Sequence, residues 1–291
     1  MNEQVCKTDV ECCDGAAGVD AGGYPVEATG NAVLDILEHR SSTRAFARDD
    51  DGRPMAVTDE QRAAILHAAS RAPSAGAMMM YSIVSIREQA TLDHLADLCD
   101  HQPMIAKAPW ALIFVVDYAK WIDLFEHVGC FEPEFVERTG KSPRRAPGLG
   151  DFAIAAQDAV IAAQNAVVAA EALGLGSCYI GDVVENAEEV AELLDLPPYT
   201  MPLSMLIIGT PRKERPAIAH PVVNLVHEER YCRADAATMD AQVAEMDAMF
   251  RPHAREVGER VVDIYTRKHT SPFMAEMSRS MEWWFKNWLG K

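Results

Sequence analysis

Gly174-Leu175-Gly176-Ser177-Cys178-Tyr179-Ile180-Gly181, reached at the end of the Ala-rich run Phe152–Leu173, decides how this chain is read. The run is long enough to raise the question of a membrane span. Gln157, Asp158, Gln164, Asn165 and Glu171 interrupt it, however, and charge at membrane depth is costly. A buried helix fits better: Ile154, Ile161 and Val168 recur every seven residues, and the many alanines permit close helix contact, as at the centre of a dimer. Gly174 and Gly176 end the helix, and Ser177–Gly181 reads as a short extended segment whose amides can face a ligand. A dinucleotide fingerprint is rejected, because the glycine spacing is wrong and a helix rather than a strand precedes it.

Two earlier stretches carry comparable information. Arg40-Ser41-Ser42-Thr43-Arg44-Ala45-Phe46 follows a short helical segment, Asn31–Arg40. Cations are favoured at a helix C-terminus by the dipole, and cations with hydroxyls also suit a phosphate. Ala72-Pro73-Ser74-Ala75-Gly76 follows a helix announced by the capping box Thr58/Gln61 and the apolar stripe Ile65, Leu66 and Ala69. Its small residues make a turn that lets backbone approach a flat ligand, and the alternation of Tyr81–Ile86 beyond it predicts a strand. Further strands are expected at Trp110–Val116 and at Pro202–Ile208, the latter leading into Gly209-Thr210-Pro211.

In order, spacing and intervening elements, these stretches resemble the nitroreductase family over most of Asn31–Tyr231, about two thirds of the chain. The resemblance implies an α+β fold with a mixed sheet flanked by helices, and a homodimer built around a long central helix. It implies one FMN per subunit at the dimer interface, with NADPH or NADH as electron donor. By position, Arg40 and Ser42 would bind the phosphate, and Arg44 would approach N1 and the C2 carbonyl, where a fixed cation favours the reduced ring. Pro73, Ser74 and Ala75 would line the flavin from the partner subunit, and the amides after Ile180, those of Gly181 and Asp182, would reach N5 and the C4 carbonyl.

The chain departs from the family pattern at two of these places. The usual Arg-Arg-Ser is Arg40-Ser41-Ser42, which removes a cation, and the Asn that ordinarily contacts the ring is Ala77. A lost polar contact of that kind is worth roughly 1 kcal/mol, enough to alter the flavin's potential without abolishing binding. His101 or Gln102 falls where the family places a polar side chain against the pyrimidine. Arg212, Lys213, Arg215 and His220 compete for a further phosphate contact, with Arg215 preferred.

A net charge of -17 argues against a nucleic-acid or anionic-membrane partner, since phosphate surfaces need clustered Lys and Arg. The seven cysteines form no CxxC pair and no signal peptide is evident, so reduced thiols and a cytoplasmic location are expected, with no metal site. Residues 1–30 read as a flexible tail and 31–231 as the flavin-binding domain. Tyr118–Gly150 reads as a long connection able to cap the ring, with Arg144 and Arg145 available to an anionic substrate. In residues 232–291, Met277, Met281, Trp284 and Trp288 mark an amphipathic helix, expected to pack as an arm across the partner subunit.

The function expected is transfer of hydride from NAD(P)H through flavin N5 to a small electron-poor acceptor, a nitroaromatic, quinone or activated alkene, by a ping-pong mechanism. No side chain is expected to act as nucleophile or base; Arg44 supports the reduced flavin. Two alternatives stand: a specialised reductase of an enone or halogenated aromatic, and a non-catalytic flavin-binding redox sensor or carrier.

Overall fold

The structure is a computed structural model and describes residues 30–141, 145–213, 222–253 and 255–290. These fall into two compact units, one formed by residues 30–213 with 272–290 and the other by residues 222–271. The expected N-terminal tail and its cysteines lie outside the described residues.

The larger unit is α+β. Four strands, β1 (Tyr81–Ile86), β2 (Trp110–Asp117), β3 (Gly176–Ile180) and β4 (Thr200–Gly209), form one sheet in the order β1-β2-β4-β3. Every pairing between these strands is antiparallel, so among the described residues the expected mixed character is confined to one parallel bridge, Ser42 to Ser177, at the β3 edge. The strand β2 is buried at all eight positions, its run Trp110–Val116 continuously apolar with both faces covered.

Before the sheet come α1 (Ala32–His39), capped by the Asn31 side chain, and α2 (Asp59–Ser70), whose Thr58/Gln61 capping box forms as expected. Behind the sheet runs α7 (Leu149–Ala172), the one described helix long and apolar enough to cross a membrane. Its buried face is Ala155, Asp158, Ala159, Ala162, Ala163, Ala166, Val167 and Ala170, and Asn165 Nδ2 donates to the Ala68 carbonyl of α2 at 3.1 Å. Two of the heptad residues, Ile154 and Ile161, lie away from this face and are 44% and 39% exposed in the single chain. Small alanines let α7 lie close on α2 and the sheet, which turns the larger side chains outward.

Two further expectations are corrected here. The connection Tyr118–Gly150 contains α5 (Ala119–His127) and α6 (Pro133–Thr139). Neither has a side-chain N-cap, and the local helix signals are Pro133 at the start of α6 and the left-handed Gly140 at its end. The stripe Met277, Met281, Trp284 and Trp288 lies on α11 (Pro272–Trp288), which packs on its own chain. Trp284 and Trp288 are 0% exposed; their indole N–H groups donate to the carbonyls of Val184 at 2.9 Å and Gly148 at 3.1 Å. The core was incomplete without them.

The remaining helices of this unit are α3 (Gln89–Leu98), α4 (Pro103–Ala106) and α8 (Ala187–Leu193). The smaller unit holds α9 (Ala236–Phe250), α10 (Glu259–Ile264) and a π-turn, Tyr265–His269. Two buried carboxylates of α9 organise it: Glu245 accepts from the amides of Val222 and Val223, and Asp247 from those of Gly258 and Arg260.

Candidate active site

Thr43 is buried at the edge of the sheet, and its amide donates to the Ser177 carbonyl at 2.9 Å. Further along the strip, Arg212 N–H donates to Ala45 O at 3.0 Å and Ala47 N–H to Thr210 O at 2.8 Å, so the strip 42–47 is tied to both β3 and the exit of β4. Glycine is required where strip and sheet meet. A Cβ on Gly176 would run into Thr43 Oγ1, and one on Gly209 would lie 2.8 Å from Phe46 and 2.7 Å from Pro109.

This docking places Arg40, Ser41, Ser42 and Arg44 beside the start of β3. Ser41 and Ser42 are half-buried and Arg44 is exposed. Arg40 caps α1 close to Glu171 and Tyr179: burial pushes the Tyr179 phenol up to about 12 and raises the Glu171 carboxyl, and the Arg40 charge partly opposes both. Ser177 Oγ and Glu171 Oε1 are buried here without a hydrogen-bond partner.

At the other end of β3, Ile180 is buried and Gly181 is exposed, with open space where its side chain would be. Gly181 opens a 3-10 turn, Asp182–Val184, which the Trp284 indole grips from behind. Gln102 Nε2 donates to Asp182 Oδ2, which brings Gln102 to this end of the strand. His101 is not part of the group; its imidazole is 84% exposed and lies 3.6 Å from Asp97. The two ends of β3 are roughly 13 Å apart.

Pro73, Ser74, Ala75 and Ala77 form a separate group. A 3-10 turn, Ala75–Ala77, carries φ of 58° at Gly76 and 56° at Ala77, and Met79 follows at 50°. Pro73, Ala75 and Ala77 are exposed and Ser74 is half-buried. The turn rests on Asp158 of α7, and Glu171, beside Arg40, lies about 20 Å further along the same helix. Within one chain this turn and the Arg40 group are therefore well separated.

Arg215, Arg144 and His220 lie outside the described residues. Arg145 is engaged by Asp151 at 2.6 Å, whereas Arg212 and Lys213 are exposed. The described residues contain no cluster of His, Cys, Asp or Glu suited to a metal. A hollow of about 270 Å3 lined by Ser82, Asp117, Lys120 and Thr200 includes none of the predicted residues. Sequence reading missed Asp158 and Trp284 as supports, since nothing in a helical run tells which polar residue points inward.

Fold and site together define an α+β protein with a long small-residue helix behind a small antiparallel sheet and a polar strip at each end of an edge strand. Residues 37–210 match the Nitroreductase family, and the chain belongs to that family. It is 31% identical over 215 residues to the FMN reductase (NAD(P)H) of Bacillus subtilis strain 168, covering 73% of this chain and 79% of that one. It is 32% identical over 219 residues to the oxygen-insensitive NADPH nitroreductase of Salmonella typhimurium strain LT2, covering 73% of this chain and 81% of that one. Among solved structures, the NADPH:FMN oxidoreductase of Vibrio harveyi complexed with NAD+ superposes with a TM-score of 0.66 at 25% identity, over 86% of this chain and 97% of that chain.

Proposed function

We propose that this chain binds FMN along β3 and works as a homodimer on a small electron-poor acceptor, a nitroaromatic, quinone or activated alkene. It is an NAD(P)H-dependent flavoprotein oxidoreductase of the nitroreductase family. Bound there, FMN supplies the two-electron relay from NAD(P)H to the acceptor, donor and acceptor using one site in turn.

The observation that carries this reading is the pair of polar groups at opposite ends of β3, because they match the two chemical ends of the cofactor. Arg40, Ser41 and Ser42 suit a phosphate, and the buried Ser177 hydroxyl, without a partner, is a donor waiting in the same place. Gly181 is exposed with open space where a side chain would be, which suits close approach of a ring, and Asp182 with Gln102 supplies polar contacts at that end. Arg44, exposed on the same strip, is the cation proposed to extend from it toward the reduced ring. Arg215, Pro73, Ser74, Ala75 and Ala77 complete the proposed lining, the last four from the partner subunit.

An apolar surface supports the homodimer. Val33, Leu34 and Leu37 of α1 and Ile154, Val160 and Ile161 of α7 are all exposed. A cytoplasmic location goes with this reading. Steady-state kinetics test it: varying NADPH at several fixed quinone concentrations should give parallel double-reciprocal lines. Intersecting lines would require donor and acceptor to be bound together and would contradict the shared site.

A further inference from the structure

Asp158 lies midway along α7 at 2% exposure, within the alanine face that covers the sheet. A carboxylate in such a place is costly unless its oxygens are hydrogen bonded. Both are: Oδ1 accepts from the Ala75 amide at 2.9 Å and Oδ2 from the Met80 amide at 3.3 Å. Those two amides bracket Gly76, Ala77 and Met79, all with left-handed φ. Ala77 and Met79 have no intrinsic preference for that region, since a Cβ there crowds the following carbonyl. Something outside the turn must hold them. The Ser74 hydroxyl takes the Met79 amide at 3.2 Å and the Trp121 indole donates to Met78 O at 2.9 Å, but among the described residues only the Asp158 side chain grips both ends.

We infer that Asp158 is a positioning residue for the flavin: its carboxylate sets, from behind, the strained turn whose Ala75–Ala77 backbone is offered to the cofactor. The inference rests on the flavin site proposed above. A carboxylate is needed because both partners are N–H donors. An amide in its place keeps one acceptor and turns its own NH2 toward the second donor.

Hydrogen exchange in the flavin-free chain tests the clamp directly. Ala75 is exposed, yet its amide should exchange at least tenfold more slowly than that of neighbouring Gly76. In Asp158→Asn that protection should be lost, the FMN dissociation constant should rise about tenfold, and the reduction potential should move. Adding Ala77→Gly to Asp158→Asn should recover part of the FMN affinity, because glycine adopts the turn without the clamp. Equal exchange at Ala75 and Gly76 in the wild type would overturn the inference, as would Asp158→Asn with wild-type affinity and potential. A wild-type chain that takes up no flavin overturns the functional reading instead, and the exchange contrast then decides alone whether Asp158 holds the turn.

Discussion

Gly176 begins β3 where the strip carrying Arg40 and Arg44 crosses it, and a methyl group at that position would overlap Thr43, which is only 4% exposed. Either the strip or the strand must give way. Gly176→Ala is expected to cost about 1–3 kcal/mol, the usual range for overpacking a tight site. Thermal unfolding measures this, and an unchanged Tm would mean the strip is not docked as described. Single residues also show where sequence reading stops. Gln102 and His101 are adjacent and equally suited to contact a pyrimidine, but a positive φ of 51° at His101 sends its ring to solvent while Gln102 reaches Asp182.

At the scale of elements, α11 is a latch on the turn that follows β3. Glu276 accepts from the Asn186 amide and pairs with Arg279, which also reaches Glu188 across to α8. The Arg279 hydrogen bond, against some burial and with help from Ser280 and the Asn186 amide, holds the Glu276 carboxyl down at about 2, below its ordinary 4.5. A folded pKa below the unfolded one means the stabilisation is present above pH 4.5 and is lost as pH falls toward 2. Tryptophan emission should therefore shift to the red across that window as Trp284 loosens. Glu276→Gln should flatten the shift; a variant that keeps the full transition would assign it elsewhere.

Elements with local signals were legible: the capping box of α2, the apolar run of β2, and the glycine exit of α7 all fall within a few residues of their expected ends. The helices α5 and α6 were not, because they lack side-chain caps and their aromatic residues suit a loop equally well. Which face of α7 meets the sheet is not legible in its sequence, because its alanines rather than its isoleucines fit the narrow space against the sheet. The destination of the α11 stripe is a tertiary fact; amphipathicity predicts that a face is buried and not what buries it.

For the whole molecule, the outer face of α7 is the surface that distinguishes a lone chain from the proposed dimer. Ile161→Glu places a charge on a residue 39% exposed in the single chain, so the fold should survive. Sedimentation should then show a monomer, and FMN should be lost together with the dimer. A dimeric variant would place the interface elsewhere, and a monomer that keeps its flavin would contradict a site shared between subunits.

The central claim is that β3 and its two polar ends bind a redox-active flavin. The visible absorption spectrum of the purified protein, recorded before and after anaerobic addition of NADPH or NADH with the released chromophore identified by mass, tests it most directly. Bound FMN that bleaches with either donor and recovers its colour with a quinone is the predicted result. A protein without flavin that cannot be loaded with it, or one whose bound FMN neither donor reduces, would contradict the account.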